Sequence, residues 1–223
     1  MQEDNLKFVS SMIRVLNQIL LTSPELQALR THIRQTATNA EAHKLFQILF
    51  RAWTNNPVAT FSLCLLAEQY ELANAVVQQF AHLDITIGIL EQIDKFAHLL
   101  ESPLFMGLRL QLLDPPKHPF LLRALYGMLM VMPQSPAFER LSQRLTAVMP
   151  FHNQMALIAL SNTDREQDSA AGAAAKPAKS KKGSVIAQTP PLENPLTIDI
   201  DALTTHFIQT SDKAKAENSG PLQ

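Results

Sequence analysis

Three carboxylates near the middle of the chain, Glu91, Asp94 and Glu101, have Lys95 and His98 between them. A carboxylate pair beside a basic side chain could perform general acid–base chemistry. Residues four apart share one face of a helix, however, so Glu91 and Lys95 form an ordinary surface pair. No other catalytic pattern accompanies them. We therefore interpret this segment as a solvated helix face rather than an active site.

The other residue types that catalyse reactions or bind metals are scattered. The seven histidines lack metal-site spacing with one another and with the single cysteine, Cys64. No serine stands in a nucleophile-elbow pattern, and none of the six glycines builds a phosphate-binding loop. Cys64 lies in an apolar run, which predicts a buried, inert thiol in a reducing compartment. The sequence therefore predicts no catalytic activity, no cofactor and no metal.

The charge of the chain also argues against some partners. The formal net charge of the 223 residues is −1, which does not favour nucleic-acid binding or direct membrane binding. Charged residues make up 17%, below the usual quarter or so, which indicates that some surface is buried against partners or copies. Glu3 and Asp4 replace the basic region of a signal peptide, and no apolar run could span a bilayer. We expect a cytosolic protein unless a partner carries it to a membrane.

Helical periodicity extends from residue 6 to about residue 148. In the first segment the core stripe is predicted at spacings of three and four, on Leu6, Val9, Ile13, Leu16 and Leu20. Further helices are predicted at 24–35, 40–53, 57–66, 68–82, 86–100, 103–112, 119–132 and 136–148. The segment 119–132 is apolar on several faces, so it should be buried on most sides.

Proline marks the start of many of these segments. A polar or capping residue followed by proline occurs at Ser23-Pro24, Asn56-Pro57, Ser102-Pro103, His118-Pro119 and Ser135-Pro136. Serine and asparagine can accept from the free N–H groups of a first helical turn, and proline at the first helical position loses no hydrogen bond. His118 is the least convincing cap. Such starts, joined by short turns, predict antiparallel helix pairs.

The predicted fold is all-α, with stacked antiparallel helical hairpins that resemble the end of a HEAT or armadillo solenoid. No repeat of fixed sequence supports this architecture, and a closed helical bundle remains the competing fold. We expect residues 1–160 to form the scaffold and oligomerisation domain. Residues 161–223 have the composition of a disordered linker and tail, in which 198–209 could form a short docking helix. The lysines at 176, 179, 181 and 182 are interpreted as part of a solvated linker.

Three ordered strings resemble a known family. They run from Trp53-Thr54-Asn55-Asn56-Pro57-Val58 to Gln79-Phe80, from Asp94-Lys95 to Leu108-Arg109-Leu110-Gln111-Leu112-Leu113-Asp114, and from Ala124-Leu125-Tyr126-Gly127 through Pro133-Gln134-Ser135 to Arg144-Leu145. Their combination and order resemble the C-terminal region of the ArPIKfyve family, the vacuole-morphology HEAT-repeat scaffold of the PIKfyve complex. The resemblance covers about residues 3–148, and a weaker similarity is present at 198–207.

The resemblance implies a non-enzymatic scaffold. Its C-terminal region would associate with itself and hold a PIKfyve-type phosphoinositide kinase together with a Sac-domain phosphoinositide phosphatase. The complex would control phosphatidylinositol 3,5-bisphosphate on endosomal and lysosomal or vacuolar membranes, with the chain peripheral or indirectly attached. The alternative that the residues leave open is a generic helical-repeat adaptor with unrelated protein partners.

Residues for partner contact or self-association come mostly from these strings. They are Arg109, Gln111, Tyr126, Leu129, Gln134, Arg144 and Phe207. Arginine suits carboxylate recognition at an interface, but an intramolecular pair between stacked repeats is an equal alternative for Arg109. Leu129 is expected to be either a contact or a core residue.

Overall fold

The computed structural model describes residues 2–114, 117–150 and 198–218, and no strand occurs within these ranges. The α-helices are α1 (Gln2–Thr22), α2 (Gln27–Arg34), α3 (Ala40–Trp53), α4 (Pro57–Leu66), α5 (Tyr70–Gln79), α6 (Ile87–Leu100), α7 (Met106–Gln111), α8 (Pro119–Val131), α9 (136–150) and α10 (Ile200–Asn218). Short 3-10 turns precede α2 and α7 and follow α2 and α5. The all-α prediction is confirmed.

Asparagine, threonine and serine side chains cap several of these helices, and the caps at Asn56 and Ser135 are those that the sequence predicts. The side chain of Asn56 accepts from the N–H of Ala59 at 3.0 Å, and Thr86 caps α6 in the same way at 3.4 Å. Ser135 accepts from the N–H of Phe138 at 3.2 Å. These bonds satisfy donors that have no partner inside the helix.

The predicted serine caps at Ser23 and Ser102 are wrong. Neither side chain caps its helix, because a 3-10 turn follows each serine and separates it from the α-helix proper. His118 does not cap α8 either. Proline still sets the first position of each of these elements, as its fixed φ favours.

The two Ser-Pro turns are copies of one another. Each has the pattern Leu-Leu-X-Ser-Pro followed by Leu-Arg, on Leu20, Leu21, Ser23, Pro24, Leu29 and Arg30, and again on Leu99, Leu100, Ser102, Pro103, Leu108 and Arg109. Each arginine donates to the carbonyl of the serine seven residues before it, at 2.7 Å in the first copy and 2.8 Å in the second. The chain therefore does contain a sequence repeat, with helices α1–α2 and α6–α7 as the repeated unit.

The helices pack around a continuous core. Helix α4 contacts α1, α3, α5 and α6, while α5 also contacts α8 and α9 attaches to α6. Helix α10 contacts both α3 and α5. Helix α4 lies at the centre, and each of its residues from Val58 to Leu66 is buried. Burial raises the pKa of the Cys64 thiol on this helix, so the thiol stays protonated.

A buried polar network fixes α1 against the central helix. The amide of Asn17 donates to the Ser62 hydroxyl at 2.9 Å, and the Trp53 indole N–H donates to the Asn17 carbonyl oxygen at 3.2 Å. Asn56 extends the connection by donating to the Gln92 side chain on α6 at 2.8 Å. Because buried polar groups are costly to leave unpaired, this network selects one orientation of α1.

That orientation differs in part from the predicted stripe. Ile13 and Leu20 are buried, as expected, but Leu16 is exposed. Asn17 takes the buried position instead, because Ser62 and Trp53 satisfy its amide. Within the described ranges, no helix combines the length and apolar character that a membrane span requires.

Helix α10 packs against α1, α3 and α5. It begins near the predicted 198–209 segment but continues to Asn218, and its N-terminus is capped by Asp199, which accepts from the N–H of Ala202 at 2.9 Å. Leu203 and Phe207 are buried in the main core. The predicted linker up to residue 197 lies outside the described residues.

Candidate protein-interaction surfaces

Helix α1 exposes a second apolar stripe on the side opposite its core contacts. This α1 face consists of five side chains that are between 44% and 61% exposed: Phe8, Met12, Val15, Leu16 and Ile19. Large apolar side chains clustered on one face, rather than scattered singly, mark an interaction site. Of these five, the sequence prediction assigned only Leu16 to an apolar stripe, and it placed Leu16 on the core side. The missed signal was a second run of apolar residues at helical spacing on the same helix.

The α1 face continues into a groove between α1 and α6 with a volume of about 380 Å³. Val15 and Ile19 line it from α1, while Phe96 and Leu99 line it from α6. The charged residues Arg14, Glu91 and Lys95 also line this groove. An apolar centre with polar and charged groups beside it is the ordinary composition of a protein–protein interface.

A smaller apolar row lies on α7. This α7 face comprises Met106, Leu110 and Leu113, each at least half exposed. In the same segment, Leu108 and Leu112 are buried in the core. The α7 helix thus has one apolar side turned inward and another turned to solvent.

Arg109 points into the protein rather than outward from it. Its guanidinium donates to the carbonyls of Leu100 and Ser102 at the end of α6. The last carbonyls of a helix have no partner within it, so a cationic donor there satisfies them and interacts favourably with the helix dipole. The structural alternative for Arg109 is therefore favoured over partner contact.

The side chain of Gln111 likewise forms hydrogen bonds within the chain, to Glu68 and Tyr70. Its amide donates to the Glu68 carboxylate at 2.8 Å and its carbonyl oxygen accepts from the Tyr70 hydroxyl. Glu68 has a positive φ of 59°, and the N–H of Gln69 reaches the carbonyl of Cys64 at 2.9 Å, which closes the end of α4. Burial and the Glu68 carboxylate raise the pKa of Tyr70. Gln111 thus helps to hold an uncommon backbone conformation.

Two of the predicted contact residues lie on α8. Leu129 is buried in the core, which decides between the two roles expected for it. Tyr126 is half-buried and lines a cavity of about 540 Å³ between α5 and α8, together with Gly127 and Met149. Tyr126 therefore remains accessible to a partner, whereas Leu129 does not.

Asp94 on α6 and Glu101 at its C-terminal end contact α9, whereas Glu91 remains exposed. Glu101 forms a two-point ion pair with Arg144, in which Arg144 Nε donates to Glu101 Oε1 at 3.0 Å. Asp94 accepts from the Ser135 hydroxyl. The interpretation as a solvated helix face was wrong for Asp94 and Glu101 because the sequence does not show that α9 covers them. Gln134, in the preceding turn, is exposed.

Phe207 is fully buried against the body of the chain. The sequence prediction presented it on a docking helix, and the helix does dock, but within its own chain. No partner can reach Phe207 while α10 stays in place.

The described residues offer surfaces and not a reaction centre. In residues 2–114, 117–150 and 198–218, no group of three or more His, Cys, Asp or Glu side chains is arranged to hold a metal ion. What the geometry does provide is two exposed apolar faces on rigid helices, one of them with a charged margin. Such faces can bind proteins.

Comparison with known proteins identifies one family. A family model described as "Vacuolar protein 14 C-terminal Fig4p binding" matches residues 1–148. No solved structure matches the chain significantly.

Curated relatives match the same part of the chain. The chain is 48% identical over 147 residues to the protein VAC14 homolog of Arabidopsis thaliana, covering 66% of this chain and 20% of that protein. It is 47% identical over 143 residues to the protein VAC14 homolog of Schizosaccharomyces pombe (64% and 17%). It is 45% identical over 141 residues to the vacuole morphology and inheritance protein 14 of Saccharomyces cerevisiae (63% and 16%). The matched part spans a fifth or less of these relatives.

Proposed function

Because the chain belongs to the vacuolar protein 14 C-terminal Fig4p-binding family, we propose that it is a scaffold that captures a Fig4-type Sac-domain phosphoinositide phosphatase. The family match over residues 1–148 carries this proposal. It is a binding function without catalysis: the phosphatase supplies the chemistry and this chain supplies a rigid docking site.

The α1 face and the adjoining α1–α6 groove are the site we assign to the phosphatase. Their exposed apolar side chains would be desolvated at the centre of the contact, and Arg14, Glu91 and Lys95 would form its charged margin. The Asn17 network holds α1 in place, so little ordering is needed on binding.

The α7 face is the site we assign to self-association. In the first Ser-Pro unit, the positions equivalent to Met106, Leu110 and Leu113 are Gln27, Thr31 and Arg34. Those three residues face the turn of the second unit across a shared cavity, and Arg34 donates to the carbonyl of Leu104. The same positions on α7 are apolar and exposed, which suits coverage by a second copy of the chain.

The larger assembly is part of the same proposal. The chain, or the protein that contains it, also holds a PIKfyve-type kinase, so that synthesis and turnover of phosphatidylinositol 3,5-bisphosphate occur together on endosomal and vacuolar or lysosomal membranes. The name of the Saccharomyces cerevisiae relative, vacuole morphology and inheritance protein 14, supports the location. Copurification of kinase and phosphatase with the tagged chain would separate this role from that of an adaptor with unrelated partners.

Phosphatase capture is tested on the α1 face directly. Val15→Asp should weaken binding of a purified Sac-domain phosphatase by about 10-fold or more, because a carboxylate would have to be desolvated at the contact. Ile48→Asp is the matched control, since Ile48 is equally apolar and 66% exposed but lies on α3 outside the face. Both variants should melt like the wild type.

Equal binding by Val15→Asp and the wild type would remove the α1 face from the proposal. Failure of the unmodified chain to bind the phosphatase at all would remove the proposed function itself.

A further inference from the structure

Helix α10 lies outside the part of the chain that the family model matches, yet it packs against that part. The match ends at residue 148, and residues 151–197 connect the body to α10. The helix contacts α1, α3 and α5, which all belong to the matched region. Its Asp199 cap lies within its own segment, so the cap needs no residue of the body.

The contacts of α10 have the spacing of a helical ligand in a groove. Leu203 and Phe207 are buried one turn apart, and Ile200 is partly buried at the preceding turn. Anchors at positions i, i+3 and i+7 are the pattern by which amphipathic helices bind hydrophobic grooves of other proteins. Asp201 and Thr205 between these anchors, and Gln209 after them, remain exposed.

The fit between α10 and the groove is imperfect. On α10, Thr204 Oγ1 and His206 Nδ1 are buried and have no hydrogen-bond partner, and His43 Nδ1 is in the same condition on α3. Unpaired buried polar atoms weaken a contact by the desolvation of the group concerned. The body has one such atom away from α3, Ser102 Oγ, but the polar side chains that join α1 to α4 and α4 to α6, Asn17, Ser62 and Asn56, all have partners.

We infer that the groove formed by α1, α3 and α5 is a helix-binding site and that α10 is its tethered, displaceable occupant. The body folds around α4 without α10, and α10 binds it as a ligand held close by the connecting residues. A tether generally gives its ligand an effective concentration of about the millimolar range, so the groove is filled in the intact chain. The ligand class is an amphipathic helix with an aliphatic and an aromatic anchor one turn apart.

The first test detaches α10 from the body by substitution and then adds α10 as a separate peptide. In the full chain, Leu203→Asp with Phe207→Asp should free α10, because two carboxylates cannot be buried there. A fluorescent peptide of residues 198–218 should then bind this variant on the order of 100-fold more tightly than it binds the wild type, whose groove is occupied. Fluorescence anisotropy measures the binding.

Matched controls make the result specific. The variant Thr205→Asp with Gln209→Asp changes only exposed positions of α10 and should behave like the wild type. A peptide carrying Leu203→Asp and Phe207→Asp should not bind the released chain. Equal binding of the unaltered peptide to the released chain and the wild type would overturn the inference, as would no binding to a folded released chain.

A second experiment covers the case in which the released chain fails to fold. A protease site inserted after Gly172 in the otherwise unaltered chain allows the connection to be cut. The cut α10 fragment should co-elute with the body and exchange with the labelled peptide. Loss of cooperative melting in the released variant, or a cut fragment that never exchanges, would show α10 to be an integral core helix. Phosphatase capture is tested separately, with the intact chain and Val15→Asp, so failure of that proposal is distinguishable from failure of this one.

Discussion

Arg109 on α7 donates its guanidinium N–H to the main-chain carbonyl of Ser102, 2.8 Å away. Arg30 makes the same contact with Ser23 in the first Ser-Pro unit, at 2.7 Å. The repeated arginine closes the C-terminal end of the preceding helix and turns the chain into the next one. The side chains of Arg30 and Arg109 therefore stabilise the turns between consecutive helices.

Arg109→Ala should lower the free energy of unfolding by about 2 kcal/mol, because a charged donor is lost and two carbonyls are left without it. Urea titration measures the change, and Arg140→Ala, at an exposed arginine of α9, should be nearly neutral. Phosphatase binding should fall only in proportion to folding. Lost binding at unchanged stability would instead place Arg109 in an interface.

Gly127→Ala should destabilise the chain by about 1–3 kcal/mol, through overpacking of α8 on α5. A Cβ at Gly127 would lie 2.7 Å from Val77 Cγ1. Gly107→Ala is the opposite control, since nothing lies within 4 Å of its Cβ position and alanine favours a helix by about 0.5–1 kcal/mol. Thermal melting should move down for the first variant and up for the second, and Val77→Ala should partly rescue Gly127→Ala.

Ser135→Ala should cost about 0.5–2 kcal/mol, because the hydroxyl caps α9 through the N–H of Phe138. It also donates to Asp94 on α6, so the substitution should loosen the attachment of α9 as well. Ser11→Ala, at an exposed position inside α1, should be neutral or slightly stabilising. An unchanged denaturation midpoint for Ser135→Ala would mean that the cap contributes nothing in solution.

Leu110→Asp should shift the chain toward monomer at micromolar concentration if the α7 face is the contact between copies. The carboxylate would be buried at the contact without a partner, whereas the monomer keeps it in solvent and should melt normally. Light scattering across a dilution series gives the mass. Met130→Asp, at a side chain that is 77% exposed on α8, should leave the mass unchanged. A wild-type chain that is already monomeric would contradict the assignment.

The N-caps of the helices show which structural features the local sequence can predict. Asn56 and Ser135 cap α4 and α9 as predicted, because a cap is made by side chains within three residues of the backbone they bind. Ser102 does not cap α7, although its sequence context looks the same. A 3-10 turn intervenes there, and the arginine that stabilises it lies seven residues further on.

The candidate sites were harder to predict. Arg109, Gln111 and Leu129 were candidates for interfaces, with a structural role left open for Arg109 and a core role for Leu129. In the structure all three bind or pack against residues of their own chain. A residue in one of the strings that resemble the family can stabilise the fold or contact a partner. The residue type alone does not distinguish these two roles. The α1 face was missed because a helix with two apolar stripes satisfies the same periodicity with either stripe inward.

The sequence by itself determined that this chain is all-helical, where most of its helices begin and to which family it belongs. Those properties depend on local backbone preferences, on helical spacing and on the order of short strings. Only the tertiary structure decided which stripe of α1 is exposed, which partners Asp94 and Glu101 have, and that α10 packs against α1, α3 and α5. Each of these depends on contacts between residues far apart in the chain, where the free energy of burying one face competes with that of burying another.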